Sequence, residues 1–193
     1  LIYAAISGFG NPQFGKSPYL YWPSYDVVAQ AMGGIIGITG PDKNTPTKVG
    51  PGVGDIFSGL MMSFGIISAL RMAEKTSRGQ FIDLSMYDAV LSLCERIIYQ
   101  YDFDNSIPKP EGNGHPLLVP FGIYKSKDGH IALGIVDNSF WKILTNIIGN
   151  KELVDNRKYE TIESRQNNAK SLNSIVESWT ITKTNKELES LLG

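Results

Sequence analysis

An aspartate that directly follows a run of glycines is the residue of this sequence best placed to do chemistry. Residues 49–55 read Val-Gly-Pro-Gly-Val-Gly-Asp, and Asp55 lies where a long helical pattern begins. The free N–H groups and the positive dipole at a helix start keep a carboxylate ionised. Such a carboxylate can attack an activated acyl group while those N–H groups stabilise the oxyanion. Asp is also a preferred N-cap residue, so the residues alone leave Asp55 as either a helix cap, the commoner role, or a nucleophile.

The other polar motifs have simpler structural explanations. The glycine run lacks the Gly-Lys-Ser/Thr ending of a P-loop and the glycine order of a dinucleotide-binding turn. Tyr25 and Asp26 open a short helix after an aromatic loop, as a packed ring and a capping acid would. His115 lies in a loop of Gly, Asn and Pro, where a histidine is usually solvated. Two histidines and the single Cys94 are too few for a usual zinc site, so we predict no metal.

Composition argues against several classes of function. The 193 residues carry 18 Lys and Arg against 19 Asp and Glu, a formal net charge of −1. No field of one sign is therefore available to bind nucleic acid or an anionic membrane. The longest apolar stretch, residues 56–70, is interrupted by serine and glycine and falls short of the roughly 18 residues of a spanning helix. A single cysteine allows no internal disulfide, which fits a reducing, cytoplasmic compartment.

Hydrophobic periodicity predicts an α/β layer in the first 105 residues. The predicted strands are residues 1–7 and 80–86, and the predicted helices are residues 25–32, 55–75 and 87–101. Strand 1–7 is predicted to be buried in a parallel sheet, and Ser24 is predicted to cap the first helix. Cys94 is predicted to be a core residue within the last helix. Residues 39–54, rich in Gly and Pro, form a long loop of the kind that is often functional.

The remainder of the sequence predicts a second, α+β region. Residues 102–116 are rich in Asp, Asn, Pro and Gly and indicate a linker. Two alternating runs, 121–126 and 130–136, flank Lys127-Asp128-Gly129, which is a strong hairpin signal. Helices are predicted at residues 139–148, 164–179 and 185–192. Because the sequence begins at Leu1 within a strand pattern and ends in a helix pattern, we expect a piece of a longer protein.

Several short motifs occur in an order that is specific as a set. They are Ser-Gly-Phe-Gly at 7–10, Ser-Pro-Tyr at 17–19, Pro-Ser-Tyr-Asp at 23–26, Gln-Ala-Met-Gly-Gly at 30–34, Thr-Gly-Pro at 39–41, Gly-Asp at 54–55 and Thr-Ser-Arg-Gly-Gln at 76–80. Over about residues 1–140 this order resembles the class III CoA-transferases. That group includes the formyl-CoA and carnitine CoA-transferases and is related to the acyl-CoA racemases.

The resemblance implies a role for Asp55. The family's nucleophile stands at its position, so Asp55 would attack the thioester of an acyl-CoA and form an acyl-aspartyl anhydride. CoA would then give an aspartyl-CoA thioester, from which an incoming carboxylic acid takes the CoA. This is covalent catalysis, which divides one difficult exchange into easier steps. The implied partners are an acyl-CoA and a carboxylic acid; CoA is a substrate, and no permanently bound cofactor is implied.

The resemblance also implies residues that bind the substrates. Pro23, Ser24, Tyr25 and Asp26 match the family's CoA-contacting segment, although the formyl-CoA enzymes carry Lys where this chain has Pro23. Asn113, Gly114 and His115 resemble the Gly-Gly-Gln loop that closes over the active aspartate, and they depart from it at two of three positions. The racemases carry a histidine base where this chain has Tyr25, which favours transfer.

The implied architecture divides the chain into three parts. Residues 1–105 would be the C-terminal part of a Rossmann-like, parallel-sheet CoA-binding domain, 106–116 a linker and active-site loop, and 117–193 the beginning of a small α+β domain. The full-length family members form interlocked homodimers. Two alternatives stay open: an acyl-CoA racemase or epimerase of the same fold, and a non-catalytic fragment or subunit that lacks the full CoA site.

Overall fold

The computed structural model describes residues 1–150 and 152–193. Its internal contacts divide the chain into two compact units, Leu1–Gly112 and Asn113–Gly193, here called unit 1 and unit 2. The boundary between the units lies within the predicted linker 106–116. Unit 1 contains a parallel pair of strands and unit 2 an antiparallel pair, both accompanied by helices, so the predicted α/β fold class is confirmed.

Unit 1 consists of two strands with helices between them in the sequence and two more helices after the second strand. Its elements are β1 (Ile2–Ser7), α1 (Asp26–Met32), a 3₁₀ helix (Ile35–Ile38), α2 (Val53–Thr76), β2 (Gln80–Ser85), α3 (Met86–Leu93) and α4 (Glu95–Asp104). β1 and β2 pair in parallel, from Ile2 opposite Gln80 to Ser7 opposite Ser85. Parallel neighbours need a long crossover connection, and the segment that contains α1 and α2 supplies it.

Two local predictions for unit 1 are wrong. α1 begins at Asp26 with Tyr25 as its N-cap and without a side-chain cap bond, so Ser24 is not the cap. The predicted helix 87–101 is two helices, which meet at Cys94 with φ −102° and ψ 30°. No glycine or proline marks this break, which explains why periodicity missed it. Cys94 is buried as predicted, and burial raises the pKa of its thiol.

Much of the apolar surface of unit 1 is exposed. The exposed apolar side chains of α2 are Ile56, Leu60, Met61, Phe64, Ile67, Leu70 and Met72. β1 is also half-exposed, with Tyr3 and Ile6 at the surface, so its predicted burial is wrong for this chain. By length and composition α2 could cross a membrane, contrary to the prediction from residues 56–70. One such helix is weak support for a span, because core helices of soluble proteins pass the same test.

Unit 2 packs helices against a two-stranded sheet. Its elements are β3 (Phe121–Lys125), β4 (His130–Gly134), α5 (Asn138–Ile148), α6 (Glu152–Asp155), α7 (Ile162–Asn167), α8 (Ala169–Thr180) and α9 (Asn185–Leu192). The predicted hairpin is confirmed: β3 and β4 are antiparallel, and the Ser126 N–H donates to the Gly129 carbonyl at 2.9 Å. The predicted helix 164–179 is instead α7 and α8, which meet at Asn168.

A buried guanidinium organises the core of unit 2. Arg165 is 1% exposed and donates to the carbonyls of Val119 and Tyr159 at 3.1 and 3.0 Å and to Asn138 Oδ1 at 2.9 Å. Its guanidinium lies 5.3 Å from the centre of the Trp141 ring, in cation–π contact. Burial lowers the pKa of Arg165 from its ordinary value, while neighbouring Asp137 opposes that shift. A single side chain thus joins the approach to β3, the start of α5 and the segment before α7.

Candidate active site

Asp55 lies in the first turn of α2 with its side chain exposed. The N-cap of this helix is Gly52, and Asp55 is the third helical residue, so the N-cap alternative for Asp55 is wrong. Within the described residues, the Asp55 carboxylate takes part in no hydrogen bond or ion pair. A negative charge in the first turn is favoured by the helix dipole. The Asp55 carboxylate is therefore exposed at a helix start, and Asp55 is not the residue that caps the helix.

The backbone N–H groups at the start of α2 are mostly satisfied by this chain. The Val53 N–H donates to the Pro51 carbonyl and the Ile56 N–H to the Gly52 carbonyl, both at 2.9 Å. The Gly54 N–H donates to a side chain, Asp26 Oδ1, at 2.9 Å. Among the described residues no partner is found for the N–H of Asp55 itself. At this helix start the N–H groups of Val53 and Gly54 are thus occupied, whereas among the described residues that of Asp55 is open.

A polar cluster beneath the glycine-rich loop ties that loop to α1. Asp26 Oδ2 accepts from Gln30 Nε2 at 2.8 Å, and Gln30 Oε1 accepts from the Val49 N–H at 2.9 Å. Gln30 Nε2 also approaches the carbonyls of Pro51 and Val49 at 3.4 and 3.5 Å. We call Asp26 and Gln30 the α1 clamp. It engages both ends of the segment 49–54, which leads directly into Asp55.

Close approach requires one glycine of this loop, Gly54, and a second glycine, Gly52, lies beside two carboxylates. A Cβ at Gly54 would lie 3.1 Å from the Cβ of Ala29 and 3.2 Å from Asp26 Oδ1, tighter than ordinary contact. A Cβ at Gly52 would lie 3.6 Å from Asp55 Oδ2 and 3.7 Å from Asp26 Cγ. The carboxylates of Asp26 and Asp55 therefore flank the same glycine. The structure brings these two predicted site residues together.

The residues of the predicted CoA-contacting segment differ in their exposure and in their hydrogen bonds. Pro23 is exposed, and Tyr25 is 78% exposed at the start of α1. Ser24 packs so closely that a side chain at Gly8 would overlap its Cβ, and Ser24 Oγ is buried without a hydrogen-bond partner. Asp26 differs from its neighbours, because this chain already occupies both of its carboxylate oxygens. The CoA contacts of the four residues stay predictions.

The predicted substrate loop opens unit 2 and is tied to β3. Gly122 allows this packing, since a side chain there would overlap the Asn113 carbonyl. His115 Nδ1 accepts from the N–H groups of Leu117 and Leu118, both at 3.1 Å, and its ring centre lies 4.9 Å from that of Phe121. His115 is thus a half-buried, hydrogen-bonded part of the loop. Accepting at Nδ1 leaves the proton of a neutral ring on Nε2.

Unit 1 also contains a cavity of about 440 Å³ that sequence reasoning missed. The residues that line it come from the segment 9–20, the end of β2 and the start of α3, and Asp55 is not among them. Asp83 contributes Oδ2, which accepts from the Asn11 N–H at 2.9 Å, and Oδ1, which is buried without a partner. Within residues 1–150 and 152–193 no three His, Cys, Asp or Glu side chains form a group that could hold a metal.

Comparison with known proteins decides the family. The family model described as CoA-transferase family III matches residues 1–193. The chain belongs to this family. It is 40% identical over 192 residues to a succinyl-CoA:mesaconate CoA-transferase of Haloarcula hispanica, with 100% of the chain and 48% of the relative covered. It is 33% identical to the acetyl-CoA:oxalate CoA-transferase of Acetobacter aceti, with 92% of the chain and 45% of the relative covered.

The chain is also similar to a human protein and to a solved structure. The human relative, a succinyl-CoA:glutarate CoA-transferase, is 32% identical, with 91% of the chain and 39% of the relative covered. The crystal structure of a CAIB/BAIF family protein from Brucella suis matches with a TM-score of 0.81 and 31% identity, covering 100% of the chain and 50% of that protein. The chain spans about half the length of the curated relatives it matches.

Gln30 is the residue of the site that sequence reasoning underrated. In the sequence Gln30 is only one residue of the motif at 30–34, whereas in the structure it is completely buried against the glycine-rich loop. A signal was present, since Asp26 and Gln30 are four residues apart in a helix and therefore neighbours on one face. Nothing in the sequence, however, says that this face meets residues 49–54.

Proposed function

We propose that the protein containing this chain transfers CoA from an acyl-CoA thioester to a carboxylic acid, with Asp55 as the nucleophile. The observation that carries the proposal is the exposed Asp55 carboxylate, unengaged by the described residues, in the first turn of α2 of a family III chain. The absence of a side chain at Gly52, where a Cβ would lie 3.6 Å from Asp55 Oδ2, leaves room beside the carboxylate for an approaching thioester.

The first half of the reaction moves CoA from the donor acyl group onto Asp55. A carboxylate oxygen of Asp55 attacks the thioester carbonyl carbon, the C–S bond breaks, and CoA leaves as a thiolate. The product is an acyl-aspartyl anhydride. The thiolate then attacks the Asp55 carbonyl carbon, releasing the donor acid as a carboxylate and leaving an aspartyl-CoA thioester. The open N–H of Asp55 is suited to stabilise an oxyanion in these steps.

The second half repeats the same steps with the acceptor. The incoming carboxylate attacks the aspartyl-CoA carbonyl carbon and displaces the CoA thiolate, giving a second anhydride. The thiolate attacks the acceptor's acyl carbon and releases the Asp55 carboxylate together with the new acyl-CoA. No proton is gained or lost over the cycle, so the exchange needs no general base. Tyr25, at the position of the racemase histidine, supports transfer over racemisation.

The relatives suggest which acids to test. Mesaconate, oxalate and glutarate, the acceptors in the names of three relatives, are all dicarboxylates, and two of the three names specify succinyl-CoA as the donor. We propose a dicarboxylic acceptor and a succinyl-type donor. In this proposal Pro23–Asp26 contact CoA, Asn113–His115 cover the reacting groups, and the full-length protein is a cytoplasmic homodimer. A lid over the site would protect the anhydrides from water.

The test uses the full-length protein. Succinyl-CoA with each dicarboxylic acid should yield the new CoA ester, and hydroxylamine should convert Asp55 to a hydroxamate, which peptide mass spectrometry locates. Asp55→Ala should lower kcat by about 10³-fold or more, as loss of a nucleophile does. The matched control is Asp102→Ala, which removes an exposed carboxylate from α4 and should leave kcat unchanged.

The proposal fails if Asp55→Ala keeps wild-type transfer activity. Exchange of deuterium at the α-carbon of a 2-methylacyl-CoA without acyl transfer would instead identify a racemase or epimerase. Absence of both activities in the full-length protein would identify a non-catalytic subunit.

A further inference from the structure

The side-chain amide of Gln30 is fully buried and forms hydrogen bonds with the loop that leads to Asp55. Gln30 lies in α1 next to Ala29, which belongs to the small apolar core of unit 1 with Met86 and Val90. A buried amide must find partners or lose stability. Those partners are Asp26 and the backbone of residues 49–51. None of them belongs to the apolar core, so the amide is not explained by packing.

The hydrogen bonds of Gln30 continue through Asp26 to the first turn of α2. Gln30 Nε2 holds Asp26 Oδ2 at 2.8 Å, and Asp26 Oδ1 receives the Gly54 N–H at 2.9 Å. The residue after Gly54 is Asp55. The bonds to Val49 and Gly54 are made across 19 and 28 residues of chain, so they restrict the loop in a way that local turn preferences cannot.

We propose that Gln30, acting with Asp26, is a positioning residue for Asp55, an inference that rests on the proposed function. The α1 clamp fixes both ends of the segment 49–54, occupies the Gly54 N–H and leaves the N–H of Asp55 open. It thereby sets the direction from which the Asp55 carboxylate meets the thioester. Asp26 acts on the position of Asp55 through its bond to the Gly54 N–H. Both of its carboxylate oxygens accept hydrogen bonds from this chain.

A charge-swap experiment on the full-length protein tests this role. Gln30→Glu places a carboxylate against Asp26 Oδ2, where the amide had donated, and breaks the clamp. Asp26→Asn in the same molecule restores a donor at that contact, while the bonds to the N–H groups of Val49 and Gly54 keep their acceptors. The matched control is Gln100→Glu, which makes the same charge change on α4 away from the loop.

The measured quantity is the single-turnover rate constant for forming the Asp55 adduct, with the final adduct stoichiometry from intact-protein mass spectrometry. Gln30→Glu should lower this rate constant by about 10²-fold, the size of effect expected for a displaced reacting group. The stoichiometry should stay at one per active site, and KM for acyl-CoA should change by less than about threefold, because Gln30 does not contact the substrate. The double variant should recover most of the rate.

The outcomes separate this inference from the proposed function. A wild-type rate in Gln30→Glu overturns the positioning role, as does a lower stoichiometry with an unchanged rate constant, which is the mark of partial unfolding. Failure of the double variant to recover also overturns it. If Gln30→Glu does not fold, Asp26→Asn compared with the double variant gives the same test. Failure of the proposed function is recognised separately, since wild-type protein would then form no Asp55 adduct.

Discussion

The two units of the chain hold their structures together in different ways. Unit 2 surrounds its hairpin with large buried side chains: Val119, Tyr124, Ile135, Trp141, Leu144, Leu153, Tyr159, Leu172 and Val176. The buried cluster found in unit 1 consists of Ala29, Met86 and Val90, with Ile35 packed against it. The long helix α2 meanwhile exposes most of its apolar face. Apolar burial therefore stabilises unit 2 far more than unit 1.

Each unit nevertheless buries a polar side chain that joins distant segments. Arg165 in unit 2 joins segments that all belong to the core. Gln30 in unit 1 joins α1 to the loop before Asp55. A buried polar side chain thus joins core segments in unit 2, whereas in unit 1 it holds the loop of the candidate site. Where apolar packing is scarce, the hydrogen bonds of the α1 clamp determine where the loop lies.

The largest expected difference concerns independent folding. Residues 113–193 expressed alone should unfold cooperatively in urea, because their core is complete within the unit. Residues 1–112 expressed alone should show no cooperative transition, because their buried cluster is small. Circular dichroism and amide hydrogen exchange on both pieces measure this. A cooperative transition in residues 1–112 with an amplitude like that of unit 2 would contradict the comparison.

Removing the buried guanidinium should produce the next largest effect. Arg165→Met replaces the guanidinium with an unbranched apolar side chain that still fills much of the space. The carbonyls of Val119 and Tyr159 then lose their hydrogen-bond donor. The free energy of unfolding of residues 113–193 should fall by about 3 kcal/mol, as for other broken buried polar contacts. Urea denaturation provides the measurement. Arg157→Met, at an exposed position of the same unit, is the control and should change it by less than about 0.5 kcal/mol.

Acid should weaken unit 2 through two carboxylates at helix starts. The N–H of Phe140 and then the Ser139 hydroxyl hold the pKa of Asp137 below its ordinary value, and the N–H and hydroxyl of Thr184 do the same for Glu187. Both groups are more acidic in the folded state, so their stabilising contribution is complete above the unfolded pKa of about 4. It is lost as the pH falls through the folded values.

This pH effect is the smallest of the predictions. Urea unfolding of residues 113–193 should show lower stability at acid pH, and Asp137→Asn should make that dependence shallower. The control is Glu160→Gln, a carboxylate in an exposed loop, which should leave the slope as it is. An Asp137→Asn slope identical to that of the wild type would show that the helix start of α5 does not contribute.

Local patterns in the sequence predicted the elements well where the signal itself is local. The hairpin follows from Asp-Gly between alternating runs. The helix α9 has the predicted bounds, and a capping box of Thr184 and Glu187 accounts for its start. The breaks at Cys94 and Asn168 escaped prediction, since both lie in patterns that a continuous helix also satisfies. The N-cap alternative for Asp55 was wrong because Gly52, three residues earlier, is the N-cap of the helix.

By itself, the sequence determined the family, the α/β class and the position of Asp55 near a helix start after glycines. Each of these depends on residue types and spacing along the chain. Only the tertiary structure decided which N–H groups at that start are occupied, and by which side chains. Asp26 and Gly54 are 28 residues apart, and no periodicity along the chain encodes a contact of that separation. The proposed nucleophile can thus be picked out from the sequence, whereas the clamp proposed to orient it depends on how α1 packs beneath the loop.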